Sequence, residues 1–555
     1  MPELVLPDLL LKAALEYPDL GINYMRDDGS LSKQSYWKLK KEAESLSSGF
    51  VEMGIKPGDT AIIITDNNQE TINCLWGCFF AGIVPTILQS PVSTSDHSQA
   101  AVKLLNVFQQ LGKPLVICSK PIGNDDEEFG KKMVLYSSLR RGKAIPGFRP
   151  LPDDLAFIQF SSGSTGDPKG IMLSHRNLAV NMNSIALGLH LTHDDHTGNW
   201  MPLYHDMGLI GYHLTPIYFT HEQYHIETVD FIKNPSLWLD LISEQSINVT
   251  GCPNFGQALV LRHLKRKVDF PAWNFSRMKA MLNGAEPISV RIMDEFVSQL
   301  QRFQFPVEAM MPVYGMAEAT LAISFTPLMQ PSVITQFDIE ELDRNRKAIQ
   351  VNPSSTGKTG RQISGVGVAL DRVNIRLVDE HEQEVPEGIS GHIQISGPSV
   401  THGYYQNSSA TEALFCGDWL RTGDIGFFFK GNLYISGRHK DIIFMNGKNY
   451  FAHDLESLAC TLEDLSYGKV IFGGITDPKS SKEKVLAFVA GISEPKAPEL
   501  LHRLRLLFRK NLGIQLDELI LLRSNEIPKT SSGKIQRYKI IQRYLAGEFK
   551  EKRVK

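Results

Sequence analysis

The sequence predicts an α/β protein with a large N-terminal domain of several sheets and a small, mobile α+β C-terminal domain. Its 555 residues exceed the size at which one hydrophobic core stops growing, so at least two domains are expected. Through the first half of the chain, strand-like segments alternate with helix-like ones, a pattern typical of parallel sheets flanked by helices. After about residue 438, a compact α+β pattern has the size of one small domain.

Local patterns assign the first elements in order. Apolar residues recur at helical spacing over 34–53, and residues 71–82 form a second predicted helix. Short apolar runs bounded by turn residues predict buried strands at 61–64, 84–88, 115–118 and 156–160. The polar segment 121–150 is expected to be a surface excursion, and 343–360 an exposed loop or insertion.

Composition restricts the class of function. The net charge of −3 lacks the basic excess of a nucleic-acid-binding protein, and the basic run 550–555 is expected to be a solvated terminus. The six scattered cysteines complete no zinc site and are expected to be reduced thiols. The N-terminus does not resemble a signal peptide, and no apolar run is long enough to span a membrane. We expect a cytoplasmic monomer that neither binds nucleic acid nor inserts into membranes.

The strongest local signal is a loop rich in glycine and hydroxyl side chains. Residues 160–170 read Phe-Ser-Ser-Gly-Ser-Thr-Gly-Asp-Pro-Lys-Gly and lie between apolar segments, which argues against a flexible linker. Glycines let backbone N–H groups approach an anion, hydroxyls add donors, and Lys169 adds positive charge. The loop is therefore predicted to bind a polyphosphate. It is not a Walker loop, and 357–359 also fails that pattern because Asn352 replaces the first glycine.

This loop resembles the phosphate loop of the adenylate-forming superfamily, and further motifs of that superfamily follow in order. They are Asn-Gly-Ala-Glu-Pro at 283–287, Tyr-Gly-Met-Ala-Glu-Ala-Thr at 314–320, Arg-Thr-Gly-Asp at 421–424, Gly-Arg-His-Lys-Asp at 437–441 and Pro-Lys-Thr-Ser-Ser-Gly-Lys at 528–534. The resemblance covers nearly the whole chain. It implies the acyl-CoA synthetase-like fold, with a large domain over 1–439 and a small domain over 440–555. It also implies ATP-dependent activation of a carboxylic acid to acyl-AMP with release of pyrophosphate.

Within the superfamily, three features resemble the fatty acyl-AMP ligases. They are the run Pro-Leu-Tyr-His-Asp-Met-Gly-Leu-Ile-Gly at 202–211, Ala317 where relatives often carry threonine, and the stretch 336–365, which resembles the insertion of that branch. Such enzymes pass the acyl group to a phosphopantetheinylated acyl carrier protein, in polyketide- or lipopeptide-type biosynthesis, rather than to coenzyme A. The expected substrate is therefore a fatty or related carboxylic acid.

The resemblance also implies roles for individual residues. The ATP phosphates would be held by Ser161, Ser162, Gly163, Ser164, Thr165, Gly166 and Lys169. Tyr314 would stack on adenine, with Gly284, Ala285, Gly315 and Met316 lining the nucleotide. Glu318 would bind Mg²⁺, Asp424 would accept hydrogen bonds from both ribose hydroxyls, and Arg438 would contact the ribose. Lys534 would bridge the substrate carboxylate and the α-phosphate, Lys440 would be the hinge, and His205, Asp206 and Met207 would lie at the acid pocket.

Several alternatives remain open from the sequence. A true acyl-CoA synthetase shares every nucleotide motif, and an amino-acid-activating domain or a catalytically silent binding protein of the same fold is also compatible. The run His-Glu-Gln-Tyr-His at 221–225 matches the zinc-protease pattern. Residues 224–231, however, alternate as a strand does, and strand residues four apart lie roughly 13 Å apart, too far for one metal. A zinc site is therefore not expected there.

Overall fold

The computed structural model describes residues 4–91, 93–94, 98–123, 126–139, 148–161, 168–266, 269–351, 360–445, 448–476, 483–530 and 534–554. It has an α/β fold in which a large multi-sheet N-terminal part is followed by a smaller C-terminal part. Among these residues, no helix combines the length and the apolar character needed to cross a membrane.

The largest sheet has parallel central strands and antiparallel edges. Its strands, in spatial order, are Val368–Ala369, Ala322–Phe325, Met310–Gly315, Ala280–Asn283, Val249–Gly251, His196–Asn199, Glu222–His225, Gly21–Met25 and Leu31–Ser35. The carboxyl ends of parallel strands share one edge, where ligands of α/β proteins usually bind. That edge therefore carries the loops of several predicted motifs.

A second, parallel sheet lies in the same part of the chain. Its strands, in spatial order, are Val84–Ile87, Thr60–Ile64, Leu115–Cys118 and Met133–Leu135, and nearby Leu155–Phe160 pairs with Gly170–Ser174. The predicted strands at 61–64, 84–88, 115–118 and 156–160 are confirmed. In the surface excursion expected at 121–150, most of the helix Glu127–Lys132 is exposed, as expected. The prediction is wrong over Met133–Leu135, which pairs with the buried strand Leu115–Cys118.

Helices cover the sheets of the N-terminal part. They are Leu6–Glu16, Tyr36–Glu52, Asn68–Ala81, Gln99–Gln110, His175–Gly188, Met207–Leu214, Thr215–Phe219, Thr228–Lys233, Ser236–Glu244, Asn254–Leu264 and Val290–Gln301, with Met207–Leu214 wound as a π-helix. The helices predicted at 34–53 and 71–82 are confirmed to within three residues at each end. Ser35 and Asn67 cap them by accepting hydrogen bonds from backbone N–H groups in the first turn.

An antiparallel sheet completes the N-terminal part. It contains Asn374–Val378, Gly391–Ser396, Phe415–Cys416, Trp419–Phe429 and Asn432–Arg438, with the helix Ser408–Leu414 beside it. Upstream, Ile334–Asp338 and Gly360–Ser364 pair around the helix Ile339–Asn345. Of the described residues 343–351, six are exposed, as expected for the exposed loop or insertion at 343–360. The prediction is wrong at Asp343, whose side chain is 8% exposed, and at Ala348 and Val351, which are buried. Residues 352–359 lie outside the described part.

The C-terminal part has its own strands, helices and core. Its elements are the paired strands Ile442–Met445 and Lys448–Phe451, the sheet Val470–Thr476, Glu483–Ala490, Glu518–Leu522 and Arg553–Val554, and the helices Ala452–Ala459, Ala497–Leu512 and Arg537–Leu545. The buried residues of its two hydrophobic clusters lie between residues 443 and 549. The buried residues of the largest cluster lie between residues 6 and 434, in the N-terminal part. A domain boundary between residues 439 and 440 remains our proposal.

The basic C-terminus is a packed element. The strand Arg553–Val554 pairs with Glu518–Leu522, and Lys552 donates a hydrogen bond to Glu526 over 2.6 Å. The guanidinium of Arg553 lies 4.2 Å from the ring centroid of Tyr544. The solvated terminus expected over 550–555 is therefore wrong for Lys552, Arg553 and Val554, because strand pairing and ring stacking hold these residues.

Candidate active site

A cavity of about 1780 Å³ opens between the N-terminal and C-terminal parts. Its polar wall includes Tyr314, Glu318, Asp424, Arg438 and Lys534, which lie on separate elements. Its apolar wall is formed by aliphatic and aromatic side chains that include Ile185, Leu189, Leu191, Val249, Leu321 and Phe325. The predicted nucleotide residues thus face one space that continues into an apolar region.

The carboxylate of Asp424 is fixed from both sides. Its Oδ2 accepts a hydrogen bond from the hydroxyl of Tyr314 over 2.7 Å, and its Oδ1 accepts one from Nε of Arg438 over 3.1 Å. Asp424 and Arg438 are cross-strand partners on Trp419–Phe429 and Asn432–Arg438, while Tyr314 comes from the largest sheet. Asp424 is buried, so a charged partner is needed to offset the loss of hydration. Two sheets therefore hold this carboxylate at the cavity wall.

Glu318 lies in the short 3₁₀ segment Ala317–Ala319, just after the strand that carries Tyr314. Its Oε1 accepts a hydrogen bond from the hydroxyl of Tyr404 over 3.0 Å. Burial raises the pKa of this carboxyl, while the Tyr404 hydrogen bond and the charge of Arg438 partly offset that rise. The Tyr404 ring also lies 4.7 Å from Nζ of Lys169, so Tyr404 connects the carboxylate to the lysine of the predicted phosphate loop.

The backbone around these residues is tightly constrained. A Cβ on Gly315 would lie 2.0 Å from the carbonyl oxygen of Leu321, and one on Gly284 would lie 2.8 Å from a side-chain carbon of Val313. Gly284 therefore serves close packing, and its neighbour Ala285, at φ 72°, lines the cavity instead. Thr320 has φ 71° and ψ −61°, a strained γ-turn geometry that is rare for a β-branched residue. Its hydroxyl donates to the carbonyl oxygen of Ser399 over 2.6 Å.

Lys534 reaches the cavity from the C-terminal part. Its amide donates to Oγ1 of Thr530 over 3.0 Å, and its carbonyl accepts from the amide of Thr530 over 2.7 Å. Burial lowers the pKa of its ammonium group, and the charge of Asp206 partly offsets that effect. The backbone contacts orient the residue, and the charges of Lys534 and Asp206 act on each other.

The predicted acid-pocket residues lie at the start of the π-helix Met207–Leu214. Asp206 precedes the helix, and its Oδ1 accepts from the amide of Met207 and lies 2.7 Å from Nδ1 of His205. Burial opposes ionisation of Asp206, but His205 and Lys534 outweigh it and lower the pKa of this carboxyl. His205, Asp206 and Met207 all line the cavity. π-Helices often mark functional sites, which fits this position.

Other predicted residues have mixed outcomes. Ser161 and Lys169 line the cavity and are joined by a hydrogen bond from the amide of Ser161 to the carbonyl oxygen of Lys169 over 2.9 Å. The loop residues Ser162, Gly163, Ser164, Thr165 and Gly166 lie outside the described residues. Gly315 and Met316 line the cavity, as does Lys440, which lies in the 3₁₀ segment His439–Asp441 after the last strand of the N-terminal part.

Sequence reasoning missed two cavity residues. Tyr404 is one, and its only local signal is an aromatic pair after a glycine in Gly403-Tyr404-Tyr405. Lys103 is the other. It lies on the amphipathic helix Gln99–Gln110, and its Nζ donates to the carbonyl oxygen of Phe160 over 3.2 Å. Burial lowers the pKa of Lys103 to about 8. It adds a cation next to Ser161.

The histidines of the protease-like run have protein partners. Nε2 of His221 lies 2.7 Å from the hydroxyl of Thr197, and Nε2 of His225 lies 2.9 Å from Oε1 of Gln223. The strand predicted over 224–231 ends at His225, and Thr228–Lys233 is a helix, so that prediction is wrong beyond the first two residues. Each imidazole therefore has a hydrogen-bond partner in the core, although Nδ1 of His221 is buried without one.

Comparison with known proteins gives the class to which this cavity belongs. The sequence profile of AMP-binding enzymes matches residues 12–405, and the chain belongs to the AMP-binding enzyme family. The protein is an adenylate-forming ligase, which uses ATP to activate a carboxylic acid as an acyl-AMP.

Three similar proteins show the range of this family. A Caulobacter vibrioides protein named as an acyl-CoA synthetase is 30% identical over 544 residues, which are 96% of this chain and 94% of that protein. A medium-chain-fatty-acid–[acyl-carrier-protein] ligase, TtuA of Teredinibacter turnerae, is 33% identical over 413 residues, 70% of this chain and 62% of that protein. A structure solved in a study of fatty acyl-adenylate ligases from E. coli and L. pneumophila has a TM-score of 0.89 and 28% identity, covering 98% of each chain.

Proposed function

We propose that this ligase activates a fatty or related acid as acyl-AMP and then transfers the acyl group to the phosphopantetheine thiol of an acyl carrier protein. The observation that carries the proposal is the convergence of Glu318, Asp424, Arg438 and Lys534 on one cavity whose opposite wall is apolar. An apolar wall favours a hydrocarbon chain because burying apolar area is favourable. The name of TtuA, which states a medium-chain fatty acid and a carrier protein, supports the same substrate classes.

The first half-reaction brings two anions together. A carboxylate oxygen attacks the α-phosphorus of ATP, the bond from the α-phosphorus to the bridging oxygen breaks, and pyrophosphate leaves. Lys534 would lie between the carboxylate and the α-phosphate, while Asp424 would orient the ribose and Arg438 would add positive charge. Ser161 and Lys169, with the loop between them, would hold the leaving phosphates. Positioning and fixed charges supply most of the catalysis in such transfers.

Glu318 has the chemistry that Mg²⁺ requires. It is a carboxylate at the polar wall, and hard divalent cations prefer carboxylate and phosphate oxygens. The hydroxyl of Tyr404 donates to Oε1 and thereby fixes the orientation of the carboxylate. A bound Mg²⁺ would neutralise phosphate charge. The protein would contribute the ligand oxygen and, through Tyr404, its orientation.

In the second half-reaction, the thiol sulfur attacks the acyl carbon, the carbon–oxygen bond to AMP breaks, and a thioester forms. The proposed acceptor depends on the insertion over 336–365. Arg361 of its second strand lies 2.6 Å from Oδ2 of Asp454 on the helix Ala452–Ala459, and 3.5 Å from Asp343 within the insertion. This ion pair ties the insertion to the C-terminal part. We propose that it restrains the domain rotation needed for thioester formation with free coenzyme A.

Product analysis tests the acceptor. The enzyme is incubated with ATP, Mg²⁺ and dodecanoic acid, first alone, then with coenzyme A or with a phosphopantetheinylated acyl carrier protein in parallel. We expect acyl-AMP alone in the first reaction, little acyl-CoA in the second, and acylated carrier in the third. Rapid and complete conversion to acyl-CoA would refute the carrier proposal and favour the acyl-CoA synthetase activity named for the Caulobacter relative. Pyrophosphate exchange across fatty, hydroxy and amino acids identifies the acid class.

A further inference from the structure

A carboxylate of the nucleotide-side motif at 283–287 is bonded to the C-terminal part. Glu286 follows the strand Ala280–Asn283, and its Oε2 accepts a hydrogen bond from the hydroxyl of Tyr467 over 2.6 Å. Its Oε1 accepts from the amide of Phe255, at the start of the helix Asn254–Leu264, over 2.9 Å. Tyr467 lies after the helix Ala452–Ala459, so this hydrogen bond joins residues on opposite sides of the proposed hinge at Lys440.

Charges of the C-terminal part act on the same carboxylate. Burial raises the pKa of Glu286, while the Tyr467 hydrogen bond and the charges of Lys534 and Arg537 oppose that rise. In return, Glu286 is among the groups that raise the pKa of Lys529 against the effect of burial. One carboxylate of the N-terminal part therefore meets a hydroxyl donor and several cations of the C-terminal part.

The arrangement has an energetic consequence. A half-buried carboxylate that loses its donor and its nearby cations keeps the cost of partial desolvation without compensation. Rotation of the C-terminal part would remove Tyr467 and the cations together, because they lie on one body after residue 440. The hydrogen bond between Tyr467 and Glu286 therefore favours the orientation of the C-terminal part in which Lys534 lines the cavity.

We propose that Glu286 is the docking carboxylate of the C-terminal domain, and that Glu286 and Tyr467 are positioning residues which hold Lys534 in place for adenylation and separate before acyl transfer. This rests on the proposed two-step function. Their proposed role is to hold Lys534 rather than to contact the reacting atoms. The pair sets the balance between the two half-reactions, since a stronger docking contact favours adenylation and delays transfer.

The test is Tyr467→Phe, which removes one hydroxyl and little apolar area. Adenylation is measured by pyrophosphate exchange, and transfer by thioester formation from chemically made dodecanoyl-AMP and a phosphopantetheinylated acyl carrier protein. We expect kcat for adenylation to fall about 10-fold with little change in the KM for ATP, the scale of one lost hydrogen bond to a charged group. Transfer should stay equal or become faster. The matched control is Tyr450→Phe, whose hydroxyl bonds to the carbonyl oxygen of Leu512 within the C-terminal part.

A second measurement does not depend on activity. Amide hydrogen exchange of the substrate-free enzyme should accelerate over the helix Asn254–Leu264 in Tyr467→Phe but not in Tyr450→Phe, because docking protects the Phe255 amide. Glu286→Gln leaves one acceptor oxygen where the Tyr467 hydroxyl and the Phe255 amide need two, so it should show an acceleration at least as large. Unchanged exchange in Tyr467→Phe, or equal loss of both half-reactions, would overturn the docking role. A wild-type enzyme that forms no acyl-AMP would refute the proposed function, while the exchange result would still decide the docking contact.

Discussion

The hydroxyl of Tyr314 and the carboxylate of Asp424 meet over 2.7 Å although 110 residues separate them in the chain. Tyr314 ends a strand of the largest sheet, and Asp424 lies in the antiparallel sheet. The hydrogen bond therefore fixes a carboxylate at the junction of two sheets. A rigid acceptor at that junction suits recognition of vicinal hydroxyls, because Tyr314 and Arg438 fix the direction of both carboxylate oxygens.

Asp424→Asn tests this acceptor. The substitution keeps the shape but replaces one acceptor oxygen with a donor, so the KM for ATP in pyrophosphate exchange should rise at least about 10-fold. Thermal unfolding should show whether the loss of the Arg438 ion pair also destabilises the fold. Asp371→Asn is the control, since that carboxylate is half exposed. Equal KM values in the two variants would exclude a role for Asp424 in nucleotide binding.

Lys534→Ala should slow adenylation by about 10²-fold or more, the usual effect of removing one donor that stabilises a transition state. The fold should persist, since the hydrogen bonds of residue 534 to Thr530 use its backbone atoms. Single-turnover formation of acyl-AMP is the measurement, with the exposed Lys510→Ala as the control. An unaltered adenylation rate would remove Lys534 from the mechanism.

The lowered pKa of Lys534 also predicts that the adenylation rate falls at alkaline pH. Burial lowers its pKa below the ordinary value of 10.5, so the ammonium loses its charge at a lower pH than an exposed lysine does. If that charge is needed, adenylation should fall as pH rises through the lowered pKa, before an exposed lysine would lose its charge. Lys534→Arg should move the fall to higher pH, because guanidinium stays charged. If the wild type and Lys534→Arg showed the same dependence of adenylation rate on pH, the alkaline fall would belong to another group.

Arg361→Ala tests the restraint on the acceptor. Without the ion pair to Asp454, the C-terminal domain should rotate more freely, and acyl-CoA formation should increase several-fold while adenylation persists. The measurement is the ratio of acyl-CoA to acyl-AMP at a fixed time. Arg344→Ala in the same insertion is the control, because Arg344 is exposed and pairs with Glu340 on its own helix. An unchanged ratio would show that this ion pair does not limit the acceptor.

Lys440→Pro addresses the hinge. Proline fixes φ near −65° and should restrict the backbone rotation at residue 440. We expect adenylation to persist in part and transfer to a carrier protein to fall sharply, whereas Lys440→Ala should retain both steps. The two half-reactions are measured separately. Equal loss of both in a folded variant would move the pivot elsewhere in the chain.

The sequence predicted three strands of the smaller parallel sheet and the strand Leu155–Phe160, because buried strands are short apolar runs bounded by turn residues. In the largest sheet it predicted only a strand over 224–231, of which two residues are strand. It also predicted the residues at the polar wall, since their motifs are contiguous. Tyr404 and Lys103 escaped notice, because each reaches the cavity through neighbours distant in the chain: Tyr404 through Glu318, and Lys103 through Phe160.

The insertion shows a second limit of sequence reasoning. Its polar composition indicated an exposed loop, yet Asp343 is largely covered where Arg361 connects it to Asp454. Local composition reports how polar a segment is, but it does not report whether another element later covers it. The same holds for Glu286, whose partner Tyr467 follows it by 181 residues.

At Thr320, the strained backbone conformation affects thermal stability, and the hydroxyl of the same residue affects activity. A β-branched residue at φ 71° costs on the order of 1–3 kcal/mol, and glycine would relieve most of that cost. Glycine would also remove the Thr320 hydroxyl, which donates a hydrogen bond to the carbonyl oxygen of Ser399. Thr320 lies two residues after Glu318. Thr320→Gly therefore exchanges backbone strain for the loss of a buried hydrogen bond of similar size, and it should hold Glu318 less firmly and slow adenylation.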